Sequence, residues 1–340
     1  PVKFWDTAEF KDIKAWKAES PEKVEALLSP ELSQSLETFE RNRIQNNFQN
    51  EKPPHFENKE ALANFILSKT GPRLVVMNTV KSAAALALHL KNTNRDVLHL
   101  STSLTPNDRE EILTEIYRRL KNKSGDQNDW TLVATSCVEC GLNFSFRNGF
   151  CELRSLQSSH QLSGRVGRNG EYRDAFLYCF TVNDDAFNKN PIFKIPISVF
   201  NRLITQNFLA DKTITEAVTL GFEMECKESG GLPNEICGDE RIHNFQNVAE
   251  KFRIIDDNTV TVVADKILIE RMENGVDVSS IEIVRKSVNI RKCWITELKL
   301  PSFKRYPELF KFSEAQYDSK FLGYMKAIMD INPKFKCHFY

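Results

Sequence analysis

Four apolar runs of strand length, separated by segments with a helical pattern, constrain the fold of this chain more than any other feature. They cover residues 73–77, 96–100, 130–135 and 174–181. Continuous apolar runs of this length are typical of strands that are buried on both faces. Strands that alternate with helices form a parallel sheet with helices on both sides. The sequence therefore predicts an α/β fold over this part of the chain.

Amphipathic spacing and capping residues indicate the helices between these strands. We expect helices over residues 59–69, 80–91 and 105–121, the last with a threonine N-cap followed by proline at the first helical position. A further helix is expected over residues 156–166. Each of these helices would lie against the sheet and cover one of its faces.

Hydroxyl and amide side chains follow three of the predicted strands, in the pairs Asn78-Thr79 and Ser101-Thr102 and at Thr135. In open parallel sheets, ligands bind beyond the carboxyl ends of the strands. Small uncharged donors at that edge suit a sugar-phosphate backbone that must slide. The alternative is that these side chains cap strands and helices, which is their usual role in any α/β domain.

Two arginines, Arg165 and Arg168, follow Gln161 in the segment QLSGRVGR. If residues 156–166 are helical, both arginines project from one face. Gly164 leaves room for a ligand or backbone to come close. Guanidinium groups are planar forks that match phosphate oxygens, so the pair predicts a polyphosphate site. The alternative is a surface helix whose arginines form salt bridges.

The spacing ATxxxExGL…QxxGRxGR within residues 131–180 resembles motifs V and VI of superfamily 2 helicases. The fuller segment ECGLNFSFRNGFCELRSLQSSHQLSGRVGRNGE is similar to the CRISPR-associated helicase–nuclease of type I interference systems. RLVVMNTVKSA and LHLSTSLTPNDR resemble the earlier helicase motifs of that family, and VAEKFRIIDDNTVTVV, KSVNI and YDSKFLG resemble its C-terminal elements. The resemblance runs from about residue 60 to the end of the chain.

Three positions depart from the family pattern. Asn143 and Arg147 stand where the family has aspartate, and Gly167 stands where it usually has asparagine. Glycine at the last position is normal in other superfamily 2 helicases. Asn143 would weaken the positioning of the nucleotide ribose or of the arginines that the resemblance implies.

The resemblance implies a RecA-like parallel sheet followed by a smaller α+β C-terminal domain. We expect a helical arm or linker from a missing upstream domain over residues 1–58, the second RecA-like helicase domain over 59–190, and linker helices with a C-terminal domain over 191–340. A chain that begins with Pro1 instead of methionine is typical of a fragment or a processed product.

Local patterns also predict elements within the C-terminal part. We expect a loop over residues 225–244, a β-hairpin over 252–264, helices over 265–274 and 281–286, and a strand at 288–290. Eight basic residues lie between positions 285 and 311, interleaved with Trp294 and Tyr306. Such a mixture suits a nucleic-acid backbone with base stacking, and it equally suits a solvated face.

The resemblance also assigns roles to individual residues. The arginines would stabilise charge that develops on the γ-phosphate of ATP, and Gln161 would help to position the attacking water. The implied catalytic residues are Arg165, Arg168 and Gln161. The implied nucleotide-binding residues are Gly141, Asn143 and Gly164. The implied DNA-binding residues are Asn78, Thr79, Ser101, Thr102, Thr135 and Glu139.

Other parts of the complete enzyme are missing from this sequence. No G-x-x-x-x-G-K-[ST] phosphate loop occurs, and no histidine is followed by aspartate, as the family's nuclease requires. The DExxH at residues 239–243 follows motif VI and does not end an apolar strand, so we interpret it as chance. Cys137-x-x-Cys140 lacks two further ligands for zinc, so we predict no metal site. ATP and Mg²⁺ would act in the complete enzyme, and this chain alone is not expected to bind them or to hydrolyse ATP.

The composition of the chain limits which binding partners and which cellular compartment we expect. The formal net charge is zero, so any nucleic-acid site must be a local patch. No transmembrane-length apolar run or signal peptide is present, and the eight irregularly spaced cysteines suit a reducing cytoplasm. The resemblance implies single-stranded DNA, the first RecA-like domain, the nuclease domain and the CRISPR surveillance complex as partners, and no membrane.

Two alternatives remain open at this point. The chain could be a non-catalytic DNA- or protein-binding module that acts in trans with a separate helicase subunit. It could also belong to another superfamily 2 enzyme, such as a restriction or repair translocase. The segment that resembles the family's C-terminal hairpin argues against the second alternative.

Overall fold

The fold is described from a computed structural model. The structure describes residues 29–47, 52–93, 95–122, 129–139, 141–168, 170–187, 190–229, 234–251 and 258–331.

A parallel seven-stranded sheet forms the centre of the molecule. Its strands occur in the order β1-β7-β6-β3-β5-β4, and β2 also pairs with β7. Every pairing in this sheet is parallel. The strands are β1 (Gln45–Asn46), β2 (His55–Phe56), β3 (Arg73–Val76), β4 (Val97–Leu100), β5 (Thr131–Ala134), β6 (Asn148–Glu152) and β7 (Phe176–Val182). The predicted α/β fold with a parallel sheet is confirmed.

Helices lie between these strands and after them, and most begin at a side-chain cap. Asn58, Thr79, Thr105 and Ser155 each accept a backbone hydrogen bond at the start of a helix. The helices of this part are α1 (Pro30–Arg43), α2 (Lys59–Leu67), α3 (Val80–Asn92), α4 (Pro106–Lys121), α5 (Leu156–Ser163), α6 (Lys194–Thr205), α7 (Phe208–Asp211) and α8 (Ile214–Glu228).

The sequence analysis missed strand β6, although it lies next to the central strand. Its sequence NGFCE is polar at both ends, so it does not read as a buried run. Gly149 is required there because a Cβ atom would lie 2.5 Å from Cγ2 of Val166. The close approach of the chain after α5 therefore depends on a residue that weakens the local strand signal.

Helix α5 ends earlier than predicted. It stops at Ser163, and Gly164 caps its C-terminus. Val166 then forms a parallel bridge with Phe146 instead of continuing the helix. The prediction that Arg165 and Arg168 project from one helical face is therefore wrong, because a non-local backbone pairing replaces the last helical turn.

A second, smaller unit follows the large sheet. Its three strands have the order β10-β8-β9, with β8 antiparallel to β9 and parallel to β10. Its elements are α9 (Asn234–Arg241), α10 (Phe245–Lys251), β8 (Thr259–Val263), α11 (Lys266–Glu273), α12 (Ser280–Arg285), β9 (Ser287–Arg291), α13 (Cys293–Glu297), β10 (Phe310–Lys311) and α14 (Met325–Ile331). This arrangement confirms the expected smaller α+β part.

Two local predictions in this unit need correction. The predicted loop at 225–244 is largely helical, because α8 continues to Glu228 and α9 begins at Asn234. The predicted hairpin at 252–264 is described only from residue 258 onward. Its described strand pairs with β9 and β10, which both come later in the chain. The first arm of that hairpin lies outside the described residues.

The segment predicted as an arm contributes to the large sheet. Strands β1 and β2 both pair with β7, and Ile44 beside β1 is buried. The division of the chain at residues 58 and 190 stays a prediction.

The basic run between residues 285 and 311 is largely paired. Arg285 lies 2.5 Å from a carboxylate oxygen of Glu110, and Lys286 lies 3.1 Å from one of Asp265. Trp294 is 8% exposed and so does not offer a surface for base stacking. The interpretation as a solvated face therefore fits this run better. None of the helices in the described residues has the length and apolarity needed to cross a membrane.

The alanine-rich helix α3 is buried on most of its surface, because it lies between the sheet and the C-terminal unit. Ala83, Ala84 and Ala87 are fully or almost fully buried, and they belong to the same apolar cluster as Phe321 and Met325. Small side chains allow a helix to pack closely on two sides. The large sheet and the C-terminal unit therefore share one core.

His99 on β4 is fully enclosed by this packing. Its Nδ1 lies 2.7 Å from the carbonyl oxygen of Phe321, so this nitrogen carries the proton and donates. Its Nε2 is buried with no hydrogen-bond partner in the described part of the chain. Burial lowers the pKa of His99 to about 4, against the smaller opposing effects of the Phe321 carbonyl and Asp318.

We predict that His99 makes the protein acid-sensitive. Because its pKa is lower in the folded protein than in the unfolded chain, its neutral form contributes stability above pH 6.5 that is lost as pH falls toward 4. This loss should be on the order of 3 kcal/mol. His99→Asn, which keeps a donor for Phe321, should reduce the difference between urea unfolding free energies at pH 7 and pH 4.5.

The exposed His55 provides the matched control, and His55→Asn should retain the acid response of the wild type. An unchanged acid response in His99→Asn would contradict the prediction.

Candidate functional site

The carboxyl ends of four neighbouring strands meet at one edge of the large sheet. The backbone N–H of Met77 donates to Ala134 at 2.9 Å, and that of Thr135 donates to Leu100 at 3.3 Å. The ladder thus holds the ends of β3, β5 and β4 side by side. Glu152, at the end of β6, accepts from the backbone N–H of Asn78 at 2.7 Å. The residues that follow these strands therefore form one surface, here called the carboxyl edge.

Asn78 and Thr79 are both at the carboxyl edge, and both side chains have structural partners. Asn78 donates from Nδ2 to the carbonyl of Leu153 at 3.1 Å. Thr79 accepts from the backbone N–H of Ser82 at 3.1 Å as the cap of α3. Each side chain is half-buried. Their predicted DNA contacts remain predictions, and the capping alternative describes Thr79 well.

Ser101 and Thr102 differ in exposure. Ser101 is fully buried, and its hydroxyl lies 2.8 Å from that of Ser103. Thr102 is exposed. The geometry does not support a DNA contact from the Ser101 side chain, whereas Thr102 is available at the carboxyl edge.

Thr135 begins a short 3-10 turn, Ser136–Val138, that leads away from the carboxyl edge. Its side chain is 7% exposed, and its hydroxyl lies 3.6 Å from Sγ of Cys137. Cys137 donates weakly to the carbonyl of Leu100 at 3.5 Å, and burial raises the pKa of its thiol. Cys137 is therefore a half-buried thiol, and Cys140 lies outside the described residues.

Glu139 forms a buried ion pair with Arg154, which follows β6. The two residues are 8% and 4% exposed. Burial lowers the pKa of Arg154 to about 10, so the guanidinium stays charged at neutral pH. Sequence reasoning did not assign a role to Arg154, because its partner lies 15 positions away and on another strand end. This pair fixes the turn after β5 against the end of β6.

Arg165 binds the same turn from its other side. Its Nη2 donates to the carbonyl oxygen of Glu139 at 2.6 Å, and its Nε donates to that of Val138 at 3.3 Å. The side chain is half-buried. Arg165 is therefore connected to the turn that leaves the carboxyl edge.

Arg168 has a different environment. Its side chain is exposed, and it has no hydrogen bond or ion pair with another described residue. Gln161 is also exposed, in the last turn of α5. Gly164 adopts a right-handed helical conformation and does not need the freedom of glycine for its φ angle. A free guanidinium at the surface fits a phosphate group.

Gly141 and Asn143 lie in the segment between the 3-10 turn and the Phe146–Val166 bridge. Gly141 has a φ angle of 76°, a conformation that favours glycine. Asn143 is exposed, and its backbone N–H donates to the hydroxyl of Tyr117 at 3.3 Å. The predicted nucleotide residues thus surround the Phe146–Val166 bridge, whereas the predicted DNA residues mostly lie at the carboxyl edge.

Arg109 is a candidate that sequence reasoning missed. It is half-buried in the first turns of α4, the helix that begins just after the loop at the carboxyl end of β4. Its Nε is buried without a hydrogen-bond partner, and no ion pair with a described residue satisfies the guanidinium. The signal was present as the last residue of TPNDR, next to the capped start of a helix.

A cavity of about 330 Å³ opens beside Asn78 and Glu152. Its wall is mostly apolar and includes Leu153, Phe193 and Ile197. The carboxyl edge is therefore concave on its β6 side. Within the described residues, no three His, Cys, Asp or Glu side chains are grouped closely enough to hold a metal ion.

A parallel sheet with helices between its strands and polar groups at its carboxyl edge is the arrangement of a RecA-like domain. Comparison with known proteins shows what this part of the chain is similar to. Residues 69–171 match the family model described as CRISPR-associated nuclease/helicase Cas3, C-terminal. The CRISPR-associated helicase Cas3 of Thermoproteus tenax is 28% identical over 108 residues, which cover 32% of this chain and 18% of that protein.

Solved structures agree in fold. The crystal structure of T. fusca Cas3 has a TM-score of 0.51 at 15% identity, over 79% of this chain and 39% of that chain. A chain of a CRISPR RNA-guided surveillance complex, pre-nicking, has a TM-score of 0.50 at 13% identity, over 79% and 40%. The chain thus spans less than half the length of each of these three relatives. These matches confirm the resemblance found in the sequence: residues 69–171 are similar to the C-terminal part of Cas3.

We predict that the Glu139–Arg154 pair is important for stability. Removing one partner leaves the other charge buried and unpaired, so Glu139→Ala should lower the free energy of unfolding by about 3–5 kcal/mol. The double variant Glu139→Ala, Arg154→Ala should lose less than the sum of the two single variants. Urea unfolding of the four proteins measures the coupling.

Asp174→Asn is the control for a surface pair. Asp174 pairs with Arg147 at 2.5 Å but its side chain is 60% exposed, so its loss should cost less than about 1 kcal/mol. Equal losses for the buried and the exposed pair would contradict the prediction.

Proposed function

We propose that this chain is the C-terminal half of an ATP-dependent helicase that moves along single-stranded DNA in CRISPR interference. In this proposal it supplies arginine fingers to a nucleotide held by an upstream RecA-like domain, and it supplies backbone contacts to DNA. The observation that carries the proposal is the arrangement of Arg165 and Arg168. One arginine is bonded to the turn that leaves the carboxyl edge, and the other is exposed without a described partner.

This arrangement can link two events. A phosphate that attracts Arg168 and the nearby Arg165 would alter the bonds from Arg165 to the carbonyls of Val138 and Glu139. The same turn begins at Thr135 on the carboxyl edge, where DNA would bind. Binding or hydrolysis of the nucleotide would therefore alter the DNA-binding surface through this one short turn.

The proposal extends to cofactors and partners. ATP would provide the phosphate that the arginines contact, and the T. fusca Cas3-ADP structure, with a TM-score of 0.51, has the same fold. The described residues do not offer a carboxylate cluster for Mg²⁺, so no step on this chain is assigned to that ion. The proposed partners are single-stranded DNA, the first RecA-like domain, the nuclease domain and the CRISPR surveillance complex, in the cytoplasm.

A non-catalytic DNA- or protein-binding module that acts in trans with a separate helicase subunit is the second candidate. The buried Ser101 hydroxyl and the capping role of Thr79 favour its protein-binding form, because they reduce the number of side chains that are available to DNA. The coding sequence upstream of residue 1 separates the two candidates. A reading frame that continues into a phosphate-loop domain supports the first, and a start codon near residue 1 supports the second.

We predict that the arginine pair affects turnover only in the complete enzyme. This chain alone should not hydrolyse ATP, with or without single-stranded DNA. In the enzyme that includes the upstream domain, Arg168→Ala should lower DNA-stimulated kcat roughly a thousandfold, because an arginine finger acts on charge that develops during phosphoryl transfer. A coupled ATPase assay measures both.

Arg173→Ala is the matched control, since Arg173 is a nearby exposed arginine outside the motif. ATPase activity of this chain alone that Arg168→Ala removes would contradict the proposal. A loss equal to that of Arg168→Ala in the control would contradict the assigned role.

We predict that Arg109 contacts a DNA phosphate. Single-strand affinity, measured by fluorescence anisotropy, should fall with salt concentration, and Arg109→Ala should reduce the slope of log K against log salt by about one unit. Arg118→Ala on the same helix should leave the slope unchanged, because Arg118 pairs with Glu115 at 2.6 Å. A salt-independent affinity would count against any phosphate contact.

A further inference from the structure

A segment near the end of the described chain, residues 317–324, packs against the loop that follows β4, residues 101–105. The hydroxyl of Tyr317 accepts from the backbone N–H of Thr105 at 2.8 Å and donates to Oδ2 of Asp108 at 2.5 Å. Thr105 itself donates to the same carboxylate oxygen at 2.7 Å. A residue more than 200 positions away therefore completes the N-terminal cap of α4.

The two backbones also touch directly. The N–H of Tyr324 donates to the carbonyl of Ser103 at 3.1 Å. Gly323 has a φ angle of 59°, and a Cβ atom there would lie 2.0 Å from the carbonyl oxygen of Ser103. Gly323 also forms a two-way backbone pair with Asp318, at 2.7 and 3.1 Å. Only glycine permits this approach, since any side chain would push the loop away.

The loop at 101–105 turns all of its residues but one inward. The hydroxyls of Ser101 and Ser103 point inward and bond to each other. Thr102 is the exposed residue between them. The contacts from residues 317–324 thus help to set the direction of Thr102 and of the first turns of α4, which hold Arg109.

We propose that residues 317–324 position the nucleic-acid surface of the carboxyl edge, with Tyr317 and Gly323 as the positioning residues. They hold the loop at 101–105 and the start of α4 so that Thr102 and Arg109 face a bound single strand. This inference rests on the proposed function, and it adds a role for the C-terminal unit in the grip on nucleic acid. It follows that a movement of the C-terminal unit changes the affinity for single-stranded nucleic acid without a direct contact between that unit and the nucleic acid.

Two glycines allow a matched test in the full chain. Gly323→Ala introduces both the strain of a positive φ angle and a collision with Ser103. Gly275→Ala introduces the strain alone, because Gly275 has a φ angle of 75° and open space where a Cβ atom would lie. Tyr317→Phe, with Tyr306→Phe as its control, removes only the hydroxyl.

Fluorescence anisotropy with a single-stranded oligonucleotide and amide hydrogen exchange over residues 101–109 provide two readouts. Gly323→Ala and Tyr317→Phe should weaken strand affinity roughly three- to tenfold, the range for one lost hydrogen bond. Both should speed exchange in the loop. The two controls should match the wild type in both readouts, and thermal unfolding shows whether each glycine variant has lost similar stability.

The outcomes distinguish a failure of the positioning role from a failure of the proposed function. Faster exchange with unchanged strand affinity would overturn the positioning role and leave the proposed function intact. Unchanged exchange and unchanged affinity in Gly323→Ala and Tyr317→Phe would also overturn the positioning role. A wild-type chain that does not bind a single strand at any salt concentration would overturn both the positioning role and the DNA contacts of the proposed function.

Discussion

The parallel pairing of β3 with both β5 and β6 is the constraint on which the candidate site depends. A parallel ladder places the carboxyl ends of neighbouring strands at the same edge. Residues from four separate parts of the sequence meet there for this reason alone. Arg73 anchors the opposite end of β3 with bonds to Lys69, Asp129 and Thr131, so the strand cannot slide in register without leaving a buried guanidinium unpaired.

The turn after β5 is the point where the two halves of the site meet. Arg154 holds its Glu139 side chain from the end of β6, and Arg165 holds its carbonyls from the segment after α5. Two guanidinium groups therefore converge on this turn, one at the Glu139 carboxylate and the other at the carbonyls of Val138 and Glu139. Because one pair is buried and the other contact is half-buried, the first acts as an anchor and the second is open to a ligand.

The C-terminal unit is part of the same core. Helix α3 is covered on one face by the sheet and on the other by α14 and its neighbours. The buried His99 and the contact of Gly323 with Ser103 lie on this shared interface. Close-packed interfaces transmit displacements, so a shift of the C-terminal unit should also move the loop after β4.

Local signals predicted most elements of the large sheet correctly. The strands at Arg73, Val97 and Thr131 were visible as apolar runs, and Thr79 and Thr105 marked helix starts by capping. Strand β6 was missed because three of its five residues are not typical of a buried strand. These residues make contacts with other segments that a single sequence does not reveal, and they are Asn148, Gly149 and Glu152. The loop predicted near residue 234 was mostly helix, because its glycines and proline marked only the break between two helices.

The sequence by itself determined the α/β class, the family resemblance and which arginines are candidates for phosphate binding. These properties depend on residue type and on spacing along the chain. Only the tertiary structure decided how the arginines are presented, that Glu139 is paired with Arg154, that Ser101 and Trp294 are buried, and that residues 317–324 reach the loop after β4. Each of these outcomes depends on backbone or side-chain contacts between residues far apart in the sequence. Such contacts have no periodicity or fixed spacing from which a single sequence could reveal them.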